Sequence, residues 1–264
     1  MYKRQKQYRA KDYSTHFKKF FDLIEYLEKN LRGAVNGTVV FSNPVSDFLD
    51  KNRIQLKSLF VSDDYSLEIP EGEKGFLDFL ADIEEDTSQM NDEITAISAG
   101  METMSSGINE CTEEINRVQK SGGNGTAAFV RKQSKKAASY ISEFSKQLKQ
   151  HTESIQSLWA KIEKNTLGLL ENEYATKPEN KESLTDYIKA LHKMMLSIKE
   201  ANQSVTVMKE TSLNNLGIER SMNQSIRFLD QDLSEYLDMT EQMVKSIERI
   251  IGKSRFIIGD VPLE

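Results

Sequence analysis

Residues 76–118 read FLDFLADIEEDTSQMNDEITAISAGMETMSSGINECTEEINRV. Within that stretch one series of positions stands apart: Phe76, Leu80, Ile83, Thr87, Met90, Ile94, Ile97, Met101, Met104, Ile108, Cys111, Ile115 and Val118. The steps alternate four and three, and the residues between them are almost all polar. Only a helix returns a side chain to the same face at that spacing, and a series held over six heptads is a coiled-coil seam. Thr87 is the one plainly polar member of the series, and the Cys111 thiol is a mild second.

Downstream, Ser121-Gly-Gly-Asn-Gly125 stops the helix and Thr126 supplies a cap for the next. The register then resumes as Val130, Ser134, Ala137, Ile141, Phe144, Leu148, His151, Ile155, Leu158, Ile162, Asn165 and Leu169. Two seams joined by a short Gly-rich turn predict an antiparallel hairpin. Charge supports the pairing. Between residues 60 and 119 sixteen side chains are acidic and two, Lys74 and Arg117, are basic; between 120 and 164 nine are basic and three acidic. Arms of opposite sign favour lying side by side. The cluster Arg131, Lys132, Lys135 and Lys136 is therefore expected to face its own acidic neighbour, with a partner surface as the other use.

After the connection Lys177-Pro-Glu-Asn180, a third seam holds Leu184, Ile188, Leu191, Met195, Ile198 and Val205. Asn214-Asn-Leu-Gly217 breaks it, and a fourth series begins at Met222 and runs through Ile226, Leu229, Leu233, Tyr236, Thr240, Met243, Ile247 and Ile250 in a shifted register. The shift predicts either a second hairpin or one kinked helix. Gly252 reads as the stop. The triplet Phe256, Ile257 and Ile258 then reads as an apolar, β-type segment in an extended tail, a candidate for packing on the chain's own cap or for strand addition to a partner.

Upstream, residues 1–12 carry Lys3, Arg4, Lys6, Arg9 and Lys11 against Asp12 alone. Phe17, Phe20, Phe21, Ile24, Leu27 and Leu31 follow at helical spacing and end at Gly33. Asn36-Gly37 between β-branched residues predicts a hairpin, and Asn43-Pro44 opens a second short helix. The expected fold is thus all-α: an elongated antiparallel bundle of long helices over 71–252, a small cap over 1–70 with two short helices and a β-hairpin, and an extended tail over 253–264.

Chemistry is sparse. The three histidines, His16, His151 and His192, fall in no metal-ligand spacing, and no nucleophile or phosphate-loop motif is present, so no catalytic residue, metal ligand or cofactor is assigned. A net charge of −6 argues against a nucleic-acid binder. The single cysteine fits a reducing, cytoplasmic setting, and no apolar run reaches the roughly 18 residues that span a bilayer. Gly100 and Gly107 stand one heptad apart on one flank of the first long helix, opposite an expected run of small residues, Ser134 to Ala138; the pair reads as ordinary variation within a bundle, with a pliable waist where the rod bends or a partner docks as the functional alternative. These readings point to a non-enzymatic interaction protein, a scaffold, adaptor or sensor subunit with protein partners or further copies of itself. The alternative is a soluble protein that acts on anionic membranes through its basic-led Phe17–Leu31 segment.

Overall fold

The computed structural model describes residues 71–120, 127–212 and 220–259. The expected cap over 1–70, the Gly-rich turn at 121–125 and the Asn-Gly break at 214–217 lie outside them. Four helices make up the described chain: α1 (Glu71–Lys120), α2 (Ala127–Glu171), α3 (Lys181–Ser212) and α4 (Arg220–Ile258). A 3-10 turn, Pro178–Asn180, leads into α3. No strand occurs among the described residues.

The heptad reading of α1 is the buried face of the structure. Every seam position from Phe76 to Ile115 is buried, Thr87 and Cys111 included. The same holds for the predicted seam of α3 and, from Ile226 to Ile250, for that of α4. On α2 the apolar seam positions from Ala137 to Leu169 are buried, whereas His151 and Asn165 are half-buried. Apolar surface removed from water at about 25 cal/mol per Å² is what holds such helices together, since helix propensity alone is too weak.

Contacts divide the chain into two units, and all four helices contribute to each. One draws on residues 95–152 and 201–238, the other on 71–94, 153–200 and the chain from 239 onward. In the second unit α1 and α2 run antiparallel, as the Asn165 amide bonded to Asp82 at 3.4 Å, Lys161 paired with Asp86 at 3.3 Å and the Ser154 hydroxyl bonded to Glu93 at 2.7 Å show. Each step along α1 is matched by a step back along α2. The Thr166 and Tyr187 hydroxyls, 2.6 Å apart and buried, place the start of α3 against the end of α2. Glu163 with Arg249 and Glu171 with Lys253 advance together, so α4 runs parallel to α2. Lys199 and Glu248, 2.8 Å apart, set α3 beside α4, which one continuous kinked helix does not allow. The second hairpin is therefore the correct alternative.

The α2–α3 connection is tightly held in the same unit. Asn180, buried, donates its amide to the Tyr174 carbonyl at 2.9 Å. The Tyr174 ring meets Phe76 edge-on at 5.0 Å, and the Lys177 ammonium sits over the Tyr174 ring, 4.2 Å from its centre. In the first unit the Ser142 and Ser225 hydroxyls are 2.8 Å apart and Ser145 donates to Asp232, again in parallel order for α2 and α4.

One boundary is corrected. The extended tail expected from residue 253 is helical as far as Ile258. Ile250, Ser254 and Ile258 continue the buried face at four-residue steps. The helix ends instead at Gly259, whose φ of +82° is the left-handed conformation that favours glycine, with its N–H bonded to the Arg255 carbonyl at 3.1 Å.

Candidate interaction groove

The mid-α1 glycines open a groove in the first unit, and its walls differ from the expected ones. Gly100 lies against Phe144 and Gln147, and Gly107 lies under the ring of Tyr140. The expected facing run, Ser134 to Ala138, is displaced toward the turn end of α2, where Lys136 meets Glu110. The waist is thus not small residue against small residue. Large side chains of α2 lie over positions of α1 that have no Cβ, and hollows lie beside them.

Two such hollows adjoin. One, of about 360 Å³, is floored by Ala99, Gly100, Met104 and Phe144 and edged by Glu143 and His151. The other, of about 480 Å³, shares Ala99, Thr103 and Tyr140 with it and is edged by Glu102 and Glu110. Met104 and Phe144 at the base are buried, and the carboxylates of Glu102, Glu110 and Glu143 stand at the rim. Lys136 partly offsets that rim. Its ammonium lies 2.9 Å from Glu110 and 5.8 Å from the centre of the Tyr140 ring, and the hydrogen bond to Glu110 holds its pKa above the ordinary value.

The other sequence candidates are placed as follows. Arg131, Lys132 and Lys135 are exposed on α2, one to five residues before Lys136. Of the four, Lys136 makes the expected ion pair with acidic α1. Phe256, Ile257 and Ile258 form the last turn of α4 rather than a β-type segment. Ile258 is buried, Ile257 half-buried and Phe256 93% exposed. As helix, the triplet does not present the extended backbone edge that strand addition uses. The triplet and the basic cluster belong to different units.

Cys111 sits on the buried seam, and desolvation by burial pushes its thiol pKa up, with Lys136 opposing; a nucleophile needs the reverse. No group of three His, Cys, Asp or Glu side chains among the described residues is placed to hold a metal ion. Among the same residues no helix is long and apolar enough to cross a membrane. Of the α2 wall, Phe144 is a predicted seam position, whereas Tyr140 and Gln147 carry no sequence signal. The paired glycines were the available signal, but the register across the hairpin decides what they face. Comparison of the chain with protein families, with characterised proteins and with solved structures found no match.

Proposed function

We propose that this chain is a non-enzymatic interaction protein, a helical scaffold, adaptor or sensor subunit, that engages a protein segment along the α1–α2 face of its bundle. The observation that supports the reading is the groove itself. Two adjoining hollows open beside Gly100 and Gly107 on this face, with the buried side chains of Met104 and Phe144 at their base. The reading places the work in the cytoplasm, where a lone buried thiol stays reduced.

The test is isolation of the full chain from its native host, followed by size-exclusion chromatography with light scattering. The expected result is a species heavier than the 30.2 kDa of the chain, lost on Thr103→Arg, which puts a bulky cation into the groove. Recovery at the mass of the chain alone, or a complex indifferent to Thr103→Arg, overturns the reading.

A further inference from the structure

On the side of α2 turned away from the core, Lys132, Lys135, Ser139, Ser142, Lys146 and Lys149 recur at three- and four-residue steps, and all six are exposed. That spacing sets them in one row along the helix, about 26 Å long at 1.5 Å per residue. Among the described residues none of the four lysines pairs with a carboxylate, whereas Lys136, on the α1 side, is held by Glu110. From Ala127 to Thr152 the helix has six basic residues against one acidic, Glu143, which edges the hollow toward α1.

The neighbours of α2 give this row its shape. Lys136 with Glu110 fixes α1 on one flank, and Ser142 with Ser225 and Ser145 with Asp232 fix α4 on the other. One turn on from Ser225 and one turn short of Asp232, α4 places Phe228 and Leu229. Leu229 is 3% exposed and Phe228 52%, so Leu229 takes the core side of that seam and Phe228 the outer side, beside the lysines. The result is a ledge, flanked on both sides, with a straight row of unpaired positive charge and one apolar ring.

That shape discriminates between anionic partners. A helix walled by two others cannot enter a nucleic-acid groove, and a single exposed ring offers one stacking platform rather than a run of them. Lysine is depleted at protein–protein interfaces, where the fork of arginine suits fixed carboxylates better. Hydrated point charges on flexible stems fit a plane of mobile anions, and an exposed aromatic beside them fits its apolar edge. We propose that the Lys132–Lys149 face of α2, with Phe228 of α4, rests on the surface of an anionic lipid bilayer. The net charge of −6 opposes this little, because screening at physiological salt confines the attraction to within about 8 Å of the membrane. The surface is separate from the α1–α2 hollows, so the two readings stand or fall independently.

The experiment is flotation of the full chain with vesicles of one part phosphatidylserine to two parts phosphatidylcholine, with pure phosphatidylcholine as reference. The chain should float with the anionic vesicles and not with the neutral ones. Each lysine near such a surface contributes about fivefold to partitioning. Lys132→Gln with Lys135→Gln should therefore lower it by tenfold or more, and adding Lys146→Gln and Lys149→Gln should abolish it, with the circular dichroism of the chain unchanged. Absence of binding to anionic vesicles overturns the proposal. Binding that survives all four substitutions is carried elsewhere in the chain and overturns it too.

A second measurement places a reporter at the ring. With Phe228→Trp, tryptophan emission should move to the blue on adding anionic vesicles, since the single native tryptophan, Trp159, is already buried. Unshifted emission at saturating vesicles overturns the proposal. Tighter binding of duplex DNA or polyglutamate than of vesicles at equal anionic charge makes a polymer the partner, and overturns it as well.

Discussion

Gly100 and Gly107 look alike in the sequence, one heptad apart on one helix face, yet replacing each with alanine should move stability in opposite directions. Alanine in a helix interior is favoured over glycine by about 1 kcal/mol at either position. What differs is the atom the new methyl meets. At Gly100 it would stand 2.5 Å from Gln147 Oε1 and 3.3 Å from Phe144 Cδ2. The Gln147 carboxamide is the free end of a flexible side chain, tied to Glu143 only by a long 3.4 Å hydrogen bond, so it can swing aside cheaply. At Gly107 the methyl would fall 2.5–2.6 Å from atoms of the Tyr140 ring, and the whole aromatic must move. Such overpacking costs roughly 1–3 kcal/mol. We therefore expect Gly100→Ala to stabilise by about 0.5 kcal/mol and Gly107→Ala to destabilise by about 1 kcal/mol. Urea unfolding followed by circular dichroism measures both as midpoint shifts at constant slope. A double-mutant cycle sharpens the test, because in a Tyr140→Ala background Gly107→Ala should become stabilising. If Gly107→Ala raises the midpoint as Gly100→Ala does, or if its effect survives removal of the ring, the packing argument is wrong.

Thr87 occupies a fully buried seam position with no hydrogen-bond partner for its hydroxyl, so Thr87→Val should stabilise by about 1 kcal/mol, read as a higher urea midpoint; destabilisation would mean the hydroxyl is satisfied. Cys111 should resist alkylation by iodoacetamide until the chain unfolds, with a labelling rate that follows global unfolding in urea rather than rising ahead of it. Alkaline stability follows from two buried phenols. Burial raises the Tyr236 pKa to about 12 and raises that of Tyr187 too, against the lowering effect of its Thr166 hydrogen bond. A tyrosine in the unfolded chain ionises near about 10, so the unfolded state sheds protons that the folded state retains. Stability from these groups should be fully present below pH of about 10 and fall as pH rises toward 12, with Tyr236→Phe flattening the fall in pH-dependent unfolding curves.

The fold was legible because its main determinant is periodic. A seam that repeats at four and three leaves a helix one face to bury, and Phe76 to Ile115 is that face. The antiparallel order of α1 and α2 was legible for the same reason, reinforced by opposite charges that meet at Lys136–Glu110 and Lys161–Asp86. Two misreadings have local causes. Gly252 reads as a stop, but a Cβ there would meet nothing within 4 Å, so the residue carries no structural demand and the helix passes through it. Ser254 hid the continuing seam, because a buried serine that donates to the Ile251 carbonyl satisfies itself within the helix. The groove was half legible. Glycine spacing marked its α1 wall, while the α2 wall depends on an inter-helix register that shifts by several residues with the geometry of the turn. Polar pairs across helices, such as Thr166 with Tyr187 and Ser145 with Asp232, join residues far apart in sequence and leave no local pattern.

The central claim is that α1 folds back along α2 in one fixed register, and a short bis-maleimide cross-linker reads it directly. In a Cys111→Ala background, Asp82→Cys paired with Asn165→Cys should cross-link within the chain, because the native side chains approach to 3.4 Å. Asp82→Cys paired with Gln156→Cys, nine residues away along α2 and so displaced by about 13 Å, should not. Efficient linkage of the displaced pair, or failure of the matched one, would contradict the account.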